Sequence, residues 1–101
     1  MNGDLYHVAR GQRRIQLADK MSAIHLVSTL AILGCTDPIT SGKISGCKDY
    51  GKIYEVSFLD KAIKIAGQND AETVADWMLS FGCKKVSIEL LEDTDGDNQM
   101  L

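Results

Sequence analysis

GDLYHVARGQRRIQLADKMSAIHLVSTLAILGC (residues 3–35) lies without gaps over GKIYEVSFLDKAIKIAGQNDAETVADWMLSFGC (residues 51–83). At this 48-residue offset eight of the 33 positions are identical: Gly3/Gly51, Tyr6/Tyr54, Val8/Val56, Ile15/Ile63, Ala18/Ala66, Ala23/Ala71, Gly34/Gly82 and Cys35/Cys83. Ordinary residue usage gives about two by chance at one chosen offset. Leu5/Ile53, Leu17/Ile65, Leu26/Val74, Leu30/Met78 and Leu33/Phe81 keep their class as well. Duplication explains the match. Convergence of two β-β-α stretches is the alternative, and it predicts nearly the same fold.

Each copy reads in the same order. A first strand alternates through Leu5–Val8, or Ile53–Phe58, with the β-branched and aromatic residues that suit a pleated surface. A polar turn follows at Arg10–Gln12 or Leu59–Lys61. A second strand then puts Ile15 and Leu17, or Ile63 and Ile65, on one face. A helix comes next. Asp70 suits its N-cap in the second copy; Ser22 holds that place in the first, unless Asp19 caps an earlier start. Gly34 and Gly82 suit the left-handed position that ends a helix. Beyond the helices the match fades. Lys84–Leu91 reads as a clear strand, Pro38–Ile44 as a weaker one, and the Gly-rich stretch Gly42–Gly51 as a loop between the halves.

The expected fold is α+β: two tandem ββαβ half-repeats sharing one mainly antiparallel sheet, with both helices on one face. If the first hairpins shrink, the order becomes a ferredoxin-like variant. One domain of residues 1–101 is expected, with pseudo-repeats 3–46 and 51–92 and a flexible acidic tail, 93–101.

Composition agrees with a single folded domain. The 101 residues are 45% hydrophobic and 25% charged, which argues against disorder. No apolar run reaches the roughly 18 residues of a membrane span. The opening MNGDLYHVARGQRR lacks the apolar core of a signal peptide. The net charge of −3 divides unevenly. Residues 1–50 carry six basic and four acidic groups, or +2; residues 51–101 carry five and ten, or −5. A bulk basic footprint for nucleic acid is missing. Cys35, Cys47 and Cys83 are odd in number and form no CxxC, so a reduced, cytoplasmic setting with buried thiols fits best.

The two helices differ on one face. Shared apolar positions, Ala23/Ala71, Leu26/Val74, Val27/Ala75, Leu30/Met78 and Leu33/Phe81, belong to a common core. The outward positions of the second helix are polar: Glu72, Thr73, Asp76 and Ser80. Their counterparts are Ile24, His25, Ser28 and Ile32, of which Ile24, Ser28 and Ile32 form one stripe at i, i+4, i+8. Covering both Ile side chains contributes roughly 3–6 kcal/mol. The cover is either the chain itself or a protein partner, most simply a second copy across a two-fold axis. His25 beside the stripe offers a pH-sensitive contact.

Other motifs carry less. Gly46–Lys52 has the GxxxxGK spacing, but Ile53 stands where a phosphate loop needs Ser or Thr, and a strand follows instead of a helix. Asp93–Asp97 has part of a calcium loop without its sixth-position Gly or twelfth-position Glu. No metal or other cofactor is expected. Arg10, Arg13 and Arg14 form the one basic cluster, an anion-binding candidate on the first hairpin whose simpler reading is solvated charge. His7 and His25 allow a Cys–His nucleophilic pair, but nothing in the sequence joins either to a cysteine. Trp77, in place of Thr29, reads as a core-edge anchor.

The expectation is a small non-enzymatic interaction or regulatory module, a homodimer that binds another protein through a helix face or its acidic half. Such small, acidic chains lacking a catalytic constellation resemble in a general way accessory or inhibitory proteins of phages and mobile elements, though no motif carries the resemblance. A nucleic-acid or anion binder using Arg10–Arg14 is the second reading. A small-ligand or Cys/His catalytic domain is the third.

Overall fold

The computed structural model describes residues 3–47 and 52–93. The elements are β1 (Gly3–Arg10), β2 (Arg13–Leu17), α1 (Lys20–Ile32), β3 (Ile39–Cys47), β4 (Lys52–Phe58), β5 (Lys61–Ala66), α2 (Gln68–Ser80) and β6 (Val86–Asp93). The six strands form one antiparallel sheet in the order β3-β1-β2-β5-β4-β6. Both opening hairpins are full strands, so the sheet has six strands instead of the four of a ferredoxin-like arrangement.

Alternation places Val8, Ile15, Leu17, Val56, Ile63 and Ile65 on one face, all fully buried. Leu26 and Leu30 of α1 and Val74 and Met78 of α2 close over the same cluster, so both helices cover that face. A smaller cluster of Leu5, Ile53 and Ala66 packs with Ala18 and Ile44. By strand alternation Leu5 and Ile53 point to the other face.

The inner strands β2 and β5 meet narrowly. Their ladder has the pair Leu17↔Ile65, and the Ala18 amide donates to the Lys64 carbonyl at 2.9 Å. Side chains from the helix starts meet the neighbouring amides. The Lys64 amide donates to Ser22 Oγ at 2.8 Å, and the Gln16 amide donates to Asp70 Oδ2 at 2.9 Å. Each helix thus reaches across to the inner strand of the opposite half.

The helix ends follow local rules at three of four sites. Asp19 Oδ1 accepts from the Ser22 amide at 2.7 Å and caps α1. At the far ends the Cys35 amide donates to the Leu30 carbonyl and the Cys83 amide to the Met78 carbonyl, both at 3.0 Å. These are Schellman closures around Gly34 (φ 89°) and Gly82 (φ 99°). The start of α2 differs from expectation. Its N-cap is Gly67, which has no side chain to give, while Asp70 lies inside the first turn. Asp70 is withdrawn from capping because its carboxylate holds Gln16 and Arg13 of β2.

The stretch expected as a loop from Gly42 also differs. β3 continues through Cys47 because β1 offers a matching ladder, down to Gly3↔Cys47. Val86 faces Phe58 as Ile39 faces Arg10, so the third strands correspond one residue short of the 48-residue offset. An ungapped alignment loses register there. The expected acidic tail lies outside the described residues except for Asp93.

Candidate interaction face on the first helix

α1 lies over β1 and β5 with Ala23, Leu26 and Leu30 turned inward. Its outer side is apolar. Ile24 is 44% and Ile32 75% exposed, with exposed Ser28 between them. Met21, 57% exposed, lengthens the stripe by a turn. Its place three residues before Ile24 is the signal that could have added it. His25 is half-buried at the margin. No Asp, Glu, Lys or Arg occurs from Met21 to Thr36. At the corresponding places α2 exposes Asn69, Glu72, Asp76 and Ser80. The fold buries the same side of both helices, so the contrast at these four places lies on their outer sides.

The arginines of the first hairpin are dispersed among separate contacts. Arg10 Nε donates to Asp37 Oδ2 at 2.7 Å, and its guanidinium lies 5.4 Å from the Trp77 ring centre and 5.0 Å from that of Phe81. Arg13 Nη2 donates to Asp70 Oδ1 at 3.0 Å and to Thr73 Oγ1 at 2.9 Å. Both side chains brace the hairpin against α2 and its neighbouring loop. Arg14 is exposed, and its side chain has no such partner among the described residues. Trp77 sits half-buried at the core edge, where its ring carries Arg10.

The cysteines and histidines are not gathered. Cys83 is buried in the helix-side core, whereas alternation puts His7 on the opposite face of the sheet. His25 and Cys35 are ten residues apart along and just past α1, about 15 Å by helical rise. Both Cys35 and Cys83 are free thiols. The side chain of Cys47 lies outside the described set, as do residues 48–51 of the GxxxxGK spacing; Gly46 ends in one strand and Lys52 begins another. Among the described residues no three His, Cys, Asp or Glu side chains group to hold a metal ion. No helix is long and apolar enough to cross a membrane.

No family model, curated protein or solved structure matches the chain. The outer face of α1 is an uncharged, mostly apolar strip. It offers shape and apolar area with no charge to orient a small polar ligand.

Proposed function

We propose that this chain is a non-enzymatic protein-interaction module whose docking face is the outer side of α1: Met21, Ile24, Ser28 and Ile32, with His25 at its margin. The observation that carries the reading is the exposure of Ile24 and Ile32 where α2 exposes Glu72 and Ser80. The partner presents an uncharged apolar surface, and inhibition of a larger machine is one form the binding takes. The free thiols of Cys35 and Cys83 support a reducing, cytoplasmic setting. Anion binding through Arg10–Arg14 draws no support from Arg10 or Arg13, whose guanidinium groups are held by carboxylates of the same chain.

We also infer that the two halves are duplicated copies. Matching helix spans, matching Schellman closures and the reciprocal Ser22–Lys64 and Asp70–Gln16 contacts support this. After duplication one helix kept or acquired an apolar outer face and the other became solvated.

The test is the double variant Ile24→Glu/Ile32→Ser, which gives α1 the residues of α2. It is expected to keep the urea midpoint and slope of the wild type and to stop retaining proteins that the wild-type chain captures from its host's extract. A variant that unfolds would show that these side chains serve the chain's own core, and the reading fails.

A further inference from the structure

We propose that β6 is a self-pairing edge, through which a second copy of this chain adds its own β6 antiparallel and makes one continuous sheet of two six-stranded units. The surface is distinct from the docking face on α1 and does not depend on it.

Three observations converge on β6. First, it ends the strand order, with no strand beyond it among the described residues. Its backbone edge is therefore a template for a further strand. Second, its helix-side residues are apolar and uncovered: Ile88 is 40% and Leu90 47% exposed. The other edge, β3, does the opposite at the same structural places. Ser41 faces Val8 as Ile88 faces Val56, and Lys43 faces Tyr6 as Leu90 faces Tyr54. A charge on an edge strand is a common guard against pairing, and β6 lacks it on this face. The apolar patch continues onto α2. Asp70, Thr73 and Trp77 mark the flank of α2 turned to the first hairpin. Leu79, 52% exposed, is on the opposite flank, the side on which α2 packs against β6.

Third, the charge order along the strand favours a second copy over a foreign strand. Lys84 and Lys85 stand just before β6, and Glu92 and Asp93 close it. Antiparallel self-pairing lays the basic end of each strand beside the acidic end of the other. A two-fold axis midway between the two copies' Ile88 residues, perpendicular to the sheet, keeps both helix layers on one side. It then sets Ile88 against Ile88 of the second copy, Val86 against Leu90 and Ser87 against Glu89. No two like charges face each other in that register. β6 has one irregularity, where Tyr54 faces Leu90 but Ile53 faces Glu92, so Leu91 is bulged out. The regular stretch Val86–Leu90 ends there, which limits pairing to a short, closed interface.

The experiment is the mass of the full chain in solution by light scattering after gel filtration. The wild type is expected at twice the 11.1 kDa chain mass. Ile88→Ser/Leu90→Lys, which gives β6 the residues of β3, is expected to run at the single-chain mass with an unchanged circular dichroism spectrum. Ile24→Glu/Ile32→Ser is expected to remain at twice the mass. In a second measurement that needs no destabilising change, Ile88→Cys is expected to form a covalent dimer on mild oxidation beyond the wild-type level, because opposed strand residues lie within disulfide reach. Glu89→Cys is not. A monomeric wild type, a β6 variant that stays dimeric, masses that grow beyond two copies, dissociation by the α1 variant in place of the β6 variant, or equal cross-linking at 88 and 89 each overturns the proposal.

Discussion

The hydroxyl oxygen of Ser22, in the first turn of α1, accepts a 2.8 Å hydrogen bond from the amide of Lys64 on β5. Asp70, 48 residues after Ser22, makes the reciprocal contact with the amide of Gln16, 48 residues before Lys64, at 2.9 Å. Together they close the seam where β2 and β5 part beyond Leu17↔Ile65. A backbone amide that loses its acceptor in a partly buried place costs about 1–3 kcal/mol. Ser22→Ala is expected to lower stability by about 1–2 kcal/mol. Asp70→Ala should lower it further, since Arg13 loses its carboxylate in the same step. Urea unfolding checks both: the midpoints fall in that order while the slope is unchanged.

His7 and Gly42 face each other across β1 and β3, and a Cβ on Gly42 would stand 2.7 Å from His7 Nε2. The ring must shift to admit it, and its Nδ1 is buried with no hydrogen-bond partner among the described residues. Gly42→Ala is therefore expected to destabilise the wild type by about 1–2 kcal/mol through overpacking. In a His7→Ala background the sign should reverse. Alanine in a strand is then worth about 0.5–1 kcal/mol over glycine. A double-mutant cycle of unfolding free energies reads the coupling. A Gly42→Ala change of equal size and sign in both backgrounds would reject the steric account.

Much of this was legible in the sequence, and the misses share a cause. Gly34 and Gly82 ended the helices because a left-handed residue follows from local sterics. Leu26, Leu30, Val74 and Met78 read as core because both copies keep those places apolar, and all four are fully buried. β3 was underestimated because Gly42 and Gly46 argue locally against a strand, while the ladder that holds them comes from β1. Arg10 and Arg13 looked like a solvent-facing cluster because their partners Asp37 and Asp70 are 27 and 57 residues away. Spacing within one element shows such pairs to no reader. The outer stripe of α1 could be found because a second helix, built alike, stood beside it for contrast.

Thr29 occupies in α1 the place that Trp77 holds in α2, and it is 1% exposed with Oγ1 unpartnered among the described residues. Removing an unpaired buried hydroxyl while keeping its shape relieves a desolvation cost of about 1–3 kcal/mol. Valine has the same outline and a similar helix propensity. Thr29→Val is expected to stabilise the fold by about 1 kcal/mol, seen as a higher urea midpoint. A lower midpoint would mean that the hydroxyl has a partner after all.

Leu59 turns the β4–β5 hairpin with φ 54°, whereas the first hairpin uses Gly11 at φ 61° for the same turn. Left-handed backbone costs a residue with a Cβ about 1–2 kcal/mol, and the gain from relief is offset in part by glycine's greater freedom when unfolded. Leu59 is exposed, so little packing is lost. Leu59→Gly is expected to stabilise by about 0.5–1 kcal/mol. For a domain of this size that raises the melting midpoint by a few degrees, roughly 4–8 °C per kcal/mol. Calorimetry of the two chains decides it.

Arg10 joins three things that the chain brings from far apart: Asp37 after α1, and Trp77 and Phe81 at the end of α2. A guanidinium can stack on both rings while its Nε–H donates to the carboxylate; a lysine ammonium has no planar face to stack. Arg10→Lys keeps the charge and loses the stacking, so it is expected to cost about 1 kcal/mol, within the range of a partly exposed cation–π contact. Trp77 is the sole tryptophan, so intrinsic fluorescence reports on this place alone. The emission of Arg10→Lys should move to longer wavelength in the folded state as water reaches the indole. Asp37→Asn should change it less, because the guanidinium stays on the rings. Identical spectra for Arg10→Lys and the wild type would show that Arg10 does not shield Trp77, and that the hairpin is held to α2 by Arg13 with Asp70 and Thr73.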